Sequence, residues 1–360
     1  FFSRLQAQDD SVAAWSDATI TKIRTQYGKR LKQADYEELL SKKSVVEATE
    51  YLKGNTKYSE ALSNIDASTI HRGYLEMILR RNLFERYLEF CKFQQLDRKP
   101  FYRFRIVEYE IKSLLHGIMC MNAGSMQSFI SSLPAYLVKF ASFPVLDLGK
   151  ATSFSEILAV IRNTPYYQVL KDVPVRQDGL ADYSKCELQL RTYYMRWLLN
   201  LATKEFKGTA RKALTQQIEM QTDLINIINA YRMKCDFHAT ADELNEAMLP
   251  FSGRLSKTKL QELYAAPSTE EFLRVLGETI YGKQIEELDK CTDSVHFEHE
   301  LTKLRCNLAR RSLVLAEDVA VSLYSMMYLL ETEVTNIITI IEGIRYQKDI
   351  SYIENLLVIQ

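Results

Sequence analysis

Apolar residues recur at helical spacing along most of the chain, and one such pattern appears three times. Each copy begins with Ser-x-x-Glu, continues with an apolar stripe and ends at Thr-x-Tyr, over residues 44–58, 153–166 and 268–281. A serine followed three residues later by a glutamate is typical of the first turn of a helix, because both side chains can bind backbone N–H groups that lack a partner. The shared register predicts three related helical units.

Longer stretches with the same helical spacing follow each copy of the motif. They predict helices over residues 70–93, 101–121, 183–206, 210–234, 295–316 and 318–346. The spacing also predicts a helix over residues 17–31 near the start and a short helix over residues 350–358.

The register between the units extends into the last long helix of each one. There an acid is followed three residues later by Ser or Asn. These pairs are Glu110 with Ser113, Asp223 with Asn226, and Glu333 with Asn336. The acids could form a polar ring if the units are related by a threefold axis. Alternatively, each acid and its neighbour could tie its helix to the adjoining segment, because an unpaired buried acid is costly.

These patterns together predict an all-α fold of three similar helical subdomains. The predicted boundaries are residues 11–125, 126–238 and 239–360, and each subdomain has an ordinary domain size. A pseudo-threefold arrangement around an axis is our interpretation, and an open stack of the three units is the geometric alternative.

Composition narrows the function classes without naming one. The chain has 360 residues, 47% of them hydrophobic, and its 12 Gly and 7 Pro are too few for a turn-rich β-sandwich. The 46 basic residues balance the 46 acidic ones, so net charge offers no support for nucleic-acid binding. The six cysteines are scattered, which favours reduced thiols in the cytosol. No apolar stretch approaches the ~18 residues of a spanning helix, so we expect no direct membrane insertion.

Motifs that carry chemistry are largely missing. The chain has no phosphate-binding loop, no nucleophile elbow and no dinucleotide fingerprint, so we expect no catalytic residues and no cofactor. Two pairs have the spacing of metal ligands, Cys235 with His238 and His296 with His299, the latter near Cys291. Zinc needs three or four converging ligands. Ordinary, partly exposed residues are therefore the favoured interpretation, and a metal hydrolase that uses His296 and His299 is the alternative.

Basic residues outnumber acidic ones nine to four between Arg72 and Arg105. A solvated helix face is the usual cause of such a bias, and a docking patch for an acidic partner is the alternative. We take Arg80, Arg81 and Arg86 as the candidate partner-binding residues.

Several of these segments together carry a resemblance to a known family. They are Ala18-Thr-Ile-Thr-Lys-Ile-Arg24, Asp35-Tyr-Glu-Glu-Leu-Leu40, the first motif copy from Ser44, Thr164-Pro-Tyr-Tyr167, residues 255–266 and Glu333-x-x-Asn336-Ile337. Their order resembles the C subunit of the prokaryotic V/A-type rotary ATPases, whose family includes the d subunit of the eukaryotic V-ATPase. The likeness covers nearly the whole chain from about Asp17. The chain departs from the pattern at Glu342, which aligns with the basic Arg232 of the second predicted subdomain. Residues 1–14 match nothing in the family.

The resemblance implies a non-catalytic socket. Family members are all-helical, with three subdomains that form a funnel on the membrane rotor ring and receive the tip of the rotor shaft, which the D and F subunits form. Such a socket transmits torque between the ATP-hydrolysing head and a ring that transports H⁺ or Na⁺. It is a peripheral component on the cytoplasmic face of the membrane and has no cofactor of its own. The alternative function is a helical-repeat adaptor that binds another partner.

Overall fold

The computed structural model describes residues 16–93, 96–176 and 178–360. Within these ranges the chain consists of α-helices joined by loops and short 3₁₀ turns. The one β feature in the described ranges is an isolated bridge between Val175 and Ala181. The predicted all-α class is confirmed.

Nineteen helices follow one another along the described residues. In chain order they are α1 (16–28), α2 (Gln33–Leu40), α3 (Val45–Asn55), α4 (Ser59–Leu62), α5 (Arg72–Phe93), α6 (Phe104–Asn122), α7 (Met126–Ser132), α8 (Ala135–Val138), α9 (Val145–Leu148), α10 (Phe154–Val160), α11 (Pro165–Leu170), α12 (Tyr183–Glu205), α13 (Gly208–Phe237), α14 (Ala241–Ala247), α15 (Lys257–Ala265), α16 (Thr269–Gly277), α17 (Ser294–Leu315), α18 (Val319–Arg345) and α19 (Ile350–Glu354).

All six predicted long helices are present, with small differences at their ends. Helix α6 begins at Phe104 instead of residue 101, because Pro100–Arg103 forms a 3₁₀ turn. Helix α1 ends at residue 28 instead of 31, and α19 ends at Glu354 instead of 358. In both cases the residue predicted to end the helix binds a side chain of α18 instead. Leu31 N donates to Glu333, and Val358 N donates to Asn336.

The predicted serine caps are present in all three motif copies. The hydroxyl oxygen of Ser44 accepts a hydrogen bond from Glu47 N at 3.1 Å, and the serines of the other two copies do the same at 3.4 and 3.2 Å. The glutamates behave less uniformly. Glu47 accepts from the N–H of Lys43, one residue before the serine, and the second copy repeats this contact. In the third copy Glu271 forms an ion pair with Arg274.

The Thr-x-Tyr endings form tight local turns. The hydroxyl group of Thr56 donates to the carbonyl oxygen of Leu52, and Thr279 makes the corresponding bond to Leu276. The following tyrosine N–H then donates to the threonine oxygen in both copies. The tyrosines of all three copies are at most 2% exposed, as expected of residues that fill a turn. They are Tyr58, Tyr166 and Tyr281.

The chain divides into two compact units. The first comprises Phe1–Leu96, Gly208–Gln217 and Leu276–Gln360, as far as these ranges are described; the second comprises Asp97–Lys207 and Ile218–Val275. The three predicted subdomains cross these divisions, and their boundaries remain a prediction.

In the first unit, helix α18 is buried along most of its length and packs against α17 and α5. Segments distant in sequence meet there. The guanidinium group of Arg24 on α1 donates to the carbonyl oxygens of Leu313, Val314 and Ala316 at the end of α17. Because a helix leaves its last carbonyls without intrahelical partners, this arginine satisfies groups that would otherwise depend on water.

In the second unit, α6 packs against α12, α7, α9 and α10 around a continuous apolar core. Phe129, Leu148, Ile157 and Leu190 are fully buried members of that core. None of the helices in the described ranges is both long and apolar enough to span a membrane.

Candidate partner-binding surface

The three repeated acids are buried and act as hydrogen-bond acceptors. In the second unit, Glu110 on α6 is 2% exposed, and it accepts hydrogen bonds from the Tyr166 hydroxyl group and from Ser142 N. Burial raises the pKa of Tyr166, and the Glu110 carboxylate adds to this shift. Tyr166 therefore stays protonated and remains a donor.

Asp223 on α13, also in the second unit, accepts hydrogen bonds from three consecutive backbone N–H groups. Its Oδ1 atom accepts from Gly253 N at 2.7 Å, and Oδ2 accepts from Arg254 N at 2.7 Å and Leu255 N at 2.9 Å. A Cβ atom at Gly253 would lie 2.0 Å from the carbonyl oxygen of Glu219, so this close approach requires glycine. The loop after α14 is thereby fixed against α13.

Glu333 on α18 is the corresponding acid of the first unit. It accepts hydrogen bonds from Leu31 N at 2.7 Å and the Tyr58 hydroxyl group at 2.6 Å. The Nζ atom of Lys57 lies 2.6 Å from the same carboxylate, and both side chains are buried. Burial lowers the pKa of Lys57, and the charge of Glu333 opposes this shift.

The neighbouring asparagines repeat one geometry. Asn226 exchanges hydrogen bonds with both N–H and C=O of Leu249, and Asn336 does the same with Val358. The acids and asparagines thus fix loop segments onto long helices, which supports the structural interpretation of the motif. Because these side chains are buried, they present no surface to a partner.

The predicted partner-binding arginines lie on α5 in the first unit. The Nε atoms of Arg80 and Arg81 lie 2.9 and 2.7 Å from the carboxylates of Glu76 and Glu85. Both arginine side chains remain more than 40% exposed. The third arginine, Arg86, donates to the side-chain oxygens of Asn82 and of Gln26 on α1. Arg80 and Arg81 are therefore each paired with a glutamate of the same helix, whereas Arg86 has neutral amide partners.

A further ion pair explains the departure at Glu342. The Arg72 guanidinium group, at the start of α5, contacts both Glu76 and Glu342 on α18. An acid at this position therefore joins α5 to α18, the same two helices that pack along the first unit.

A groove of about 370 Å³ has α5 on one side, and α4 with the loop after it on the other. Arg81 and Arg86 line it, whereas Arg80 does not. Its apolar lining includes Tyr74 and Met77, which are 40% and 38% exposed. These two residues were not predicted from the sequence. A signal was present in their spacing: Tyr74 lies three residues before Met77, and Met77 lies four residues before Arg81. Such spacing places all three on one face of the helix.

Among the candidate metal ligands, His299 makes other contacts. Nε2 of His299 lies 2.9 Å from the carbonyl oxygen of Leu357, and Nδ1 lies 3.4 Å from a carboxylate oxygen of Glu300. His238 ends α13 in a left-handed backbone conformation, with a φ of 53°. Across the described residues, no group of three or more His, Cys, Asp or Glu side chains is arranged to hold a metal ion. The six cysteines all lie within the described part of the chain, and they form no disulfide bond there.

Comparison with known proteins connects this architecture to a family. Residues 19–356 match the sequence profile of the ATP synthase (C/AC39) subunit family. The chain belongs to this family. Similar proteins include the C subunit of the A-type ATP synthase of Archaeoglobus fulgidus, which is 26% identical over 261 residues, 72% of each chain. The protein of the same name from Methanosarcina mazei is 25% identical over 269 residues, 74% of this chain and 71% of the relative. The resemblance found in the sequence motifs is thereby confirmed.

Proposed function

We propose that the chain is the non-catalytic central-stalk socket of a V/A-type ATPase. In this role it links the D and F subunits of the rotor shaft to the membrane rotor ring, at the cytoplasmic face of the membrane. It transmits torque for ATP-driven transport of H⁺ or Na⁺. The observation that carries the proposal is the family match over residues 19–356, to which the two relatives from A-type ATP synthases lend support.

The internal structure of each unit suits an element that transmits force. A part that carries torque must resist local deformation, and buried charge-assisted hydrogen bonds resist it better than neutral bonds at a surface do. Glu110, Asp223 and Glu333 each fix a loop onto a long helix through such bonds. These bonds thus restrain loops, the kind of segment that deforms more easily than a packed helix.

The decisive experiment is reconstitution of the ATPase from defined subunits, with and without the chain. We expect the chain to co-purify with the D and F subunits and with the rotor ring. Omitting it should abolish ATP-driven ion uptake into vesicles while the head still hydrolyses ATP. A chain that binds neither the shaft nor the ring would favour the alternative, a helical-repeat adaptor for another partner.

We also propose that the α5 surface around Arg80, Arg81 and Arg86 contacts one of these partners. A cysteine at position 81 should be alkylated rapidly in the isolated chain and slowly in the assembled complex. Arg191 on α12 is a matched control, because it also forms an ion pair with a glutamate four residues away, Glu187, and is similarly exposed. Equal protection of Arg81→Cys and Arg191→Cys would argue against a contact specific to α5.

A further inference from the structure

The groove on α5 combines an apolar wall with charged edges. Tyr74 and Met77 stand on one wall, and Ile65 and Ile78 contribute apolar surface beside them. At 40% and 38% exposure, Tyr74 and Met77 leave much apolar surface in contact with water. Covering that surface with apolar side chains of another molecule would be favourable, because burial of apolar area is the main driving force of association.

The charges along the groove are not evenly compensated. Its lining contains two arginines, Arg81 and Arg86, and three glutamates, so the acids are in excess. Arg81 is paired with Glu85. The other two acids, Glu60 and Glu89, are exposed, and no ion pair among the described residues includes either of them. The net charge of the groove is therefore negative, although the sequence around it is rich in arginine.

We infer that the groove receives a segment of a partner protein of the complex that carries apolar side chains flanked by Lys or Arg. The inference rests on the proposed function, and it adds the chemistry of the contact. Complementary charge at the rim of an interface sets orientation and partner choice, while the apolar centre supplies most of the affinity. A volume of about 370 Å³ admits a few side chains of such a segment. The inferred segment is basic, whereas the local count of basic residues had suggested an acidic partner.

The first test identifies the occupant in the assembled complex. The full chain with Met77→Cys, carrying a photoactivated crosslinker, is reconstituted with the D and F subunits and the rotor ring. The crosslinked segment is then identified by mass spectrometry. We expect an apolar segment with Lys or Arg within about one helical turn of the crosslinked residue. An acidic segment, or no crosslink in a complex that contains the chain, overturns the inference. A chain that is missing from the complex altogether contradicts the proposed function instead.

The second test changes the charges and measures the affinity of the full chain for the crosslinked partner. Reversing both unpaired acids, with Glu60→Lys and Glu89→Lys, should weaken binding about tenfold at low salt, and less at high salt. Arg81→Ala releases Glu85 and should tighten binding about two- to fivefold. An acidic occupant predicts the opposite sign for both changes, and either opposite result overturns the inference.

Two controls keep this test interpretable. Glu50 on α3 is exposed, belongs to the first unit and does not line the groove, so Glu50→Lys should leave the affinity unchanged. Far-UV circular dichroism and thermal unfolding show whether each variant folds. If Glu50→Lys weakens binding as much as the double reversal does, overall charge and not the groove determines affinity, and the inference fails.

Discussion

Two buried glutamates hold loop segments in the two compact units, but their donors differ in charge. Glu110 in the second unit binds a tyrosine hydroxyl group and a backbone N–H. Glu333 in the first unit binds the same two kinds of donor and, in addition, the ammonium group of Lys57. The same helical framework thus accommodates an acid among neutral donors and an acid in a buried ion pair. The second solution leaves an uncompensated cation when the acid is lost.

Asp223 shows a third solution, in which three consecutive backbone N–H groups bind one carboxylate. The shorter side chain requires the loop to approach α13 closely, and Gly253 permits that approach. The three sites therefore differ in which donor is left unpaired when the acid is removed. Loss of Glu333 leaves a buried ammonium group, loss of Glu110 leaves a hydroxyl group, and loss of Asp223 leaves three backbone N–H groups of a loop.

Removing Glu333 should have the largest effect. Glu333→Ala leaves Lys57 buried without its carboxylate, and we expect the free energy of unfolding to fall by about 3–5 kcal/mol. Urea unfolding followed by circular dichroism measures this loss. The double variant Glu333→Gln with Lys57→Met removes both charges and should recover much of the stability. A loss in Glu333→Ala no larger than in Glu110→Ala would remove the proposed difference between the two glutamates.

Removing Glu110 should cost less. Glu110→Ala leaves the Tyr166 hydroxyl group and Ser142 N without their acceptor, and we expect a loss of about 2–3 kcal/mol in the same assay. Adding Tyr166→Phe removes one of the orphaned groups. The double variant should therefore be less destabilised than the sum of the two single variants. Strict additivity would show that the two side chains are not energetically coupled.

The Asp223 site should be sensitive to backbone crowding. Gly253→Ala places a Cβ atom against the carbonyl oxygen of Glu219, and we expect a loss of about 1–3 kcal/mol. Gly54 on α3 is the matched control because its Cβ would meet no atom within 4 Å. Gly54→Ala should stabilise the protein by about 0.5–1 kcal/mol, since alanine favours a helix. Equal effects at the two glycines would argue against close approach at Gly253.

The protein should lose stability at alkaline pH through the tyrosines that bind Glu333 and Glu110. Burial raises the pKa of Tyr58 and of Tyr166, whereas an unfolded tyrosine titrates near pH 10. Above about pH 10 the unfolded state loses these protons first. Stability should then fall with rising pH, by about 1.4 kcal/mol per pH unit for each tyrosine. Urea unfolding between pH 8 and 11 measures the slope. Tyr166→Phe should reduce it by one tyrosine, and an unchanged slope would contradict the assignment.

The helix caps should show the smallest effects, and similar ones in the two units. Ser44→Ala and Ser153→Ala each remove one bond to a backbone N–H and should each cost about 1 kcal/mol. Thermal unfolding of both variants provides the comparison. If one cap costs several times the other, the two copies of the motif are not equivalent in energy.

Local sequence signals predicted the local structure well. The serine caps and the long helices each depend on residues a few positions apart, so their patterns are visible in a single sequence. The identities of the donors to Glu333 were not predictable in this way. Leu31 and Tyr58 lie 302 and 275 residues from it, and only the folded chain brings them together.

The α5 surface shows the same limit in a different form. The count of basic residues predicted a positive patch, but it did not show that Arg80 and Arg81 each pair with a glutamate one helical turn away, Glu76 and Glu85. Arg72 is bound by a glutamate on a helix 270 residues away. Which charges remain available to a partner depends on such pairings, and a count along the sequence does not contain them.

The division of the chain into two units also has a consequence for its synthesis. The second unit is formed by residues up to Val275, whereas the first needs α17 and α18, which are translated after them. The second unit can therefore fold on the ribosome while α1 to α5 still lack the helix that carries Glu333. The hydrogen bonds of Leu31 and Tyr58 to Glu333 on that helix join distant parts of the chain. Contacts between residues so far apart in sequence form slowly. We expect the packing of α18 onto α5 to be the last step of folding. Until then the face of α5 that α18 covers is exposed, and we expect it to be the surface that most needs protection by chaperones.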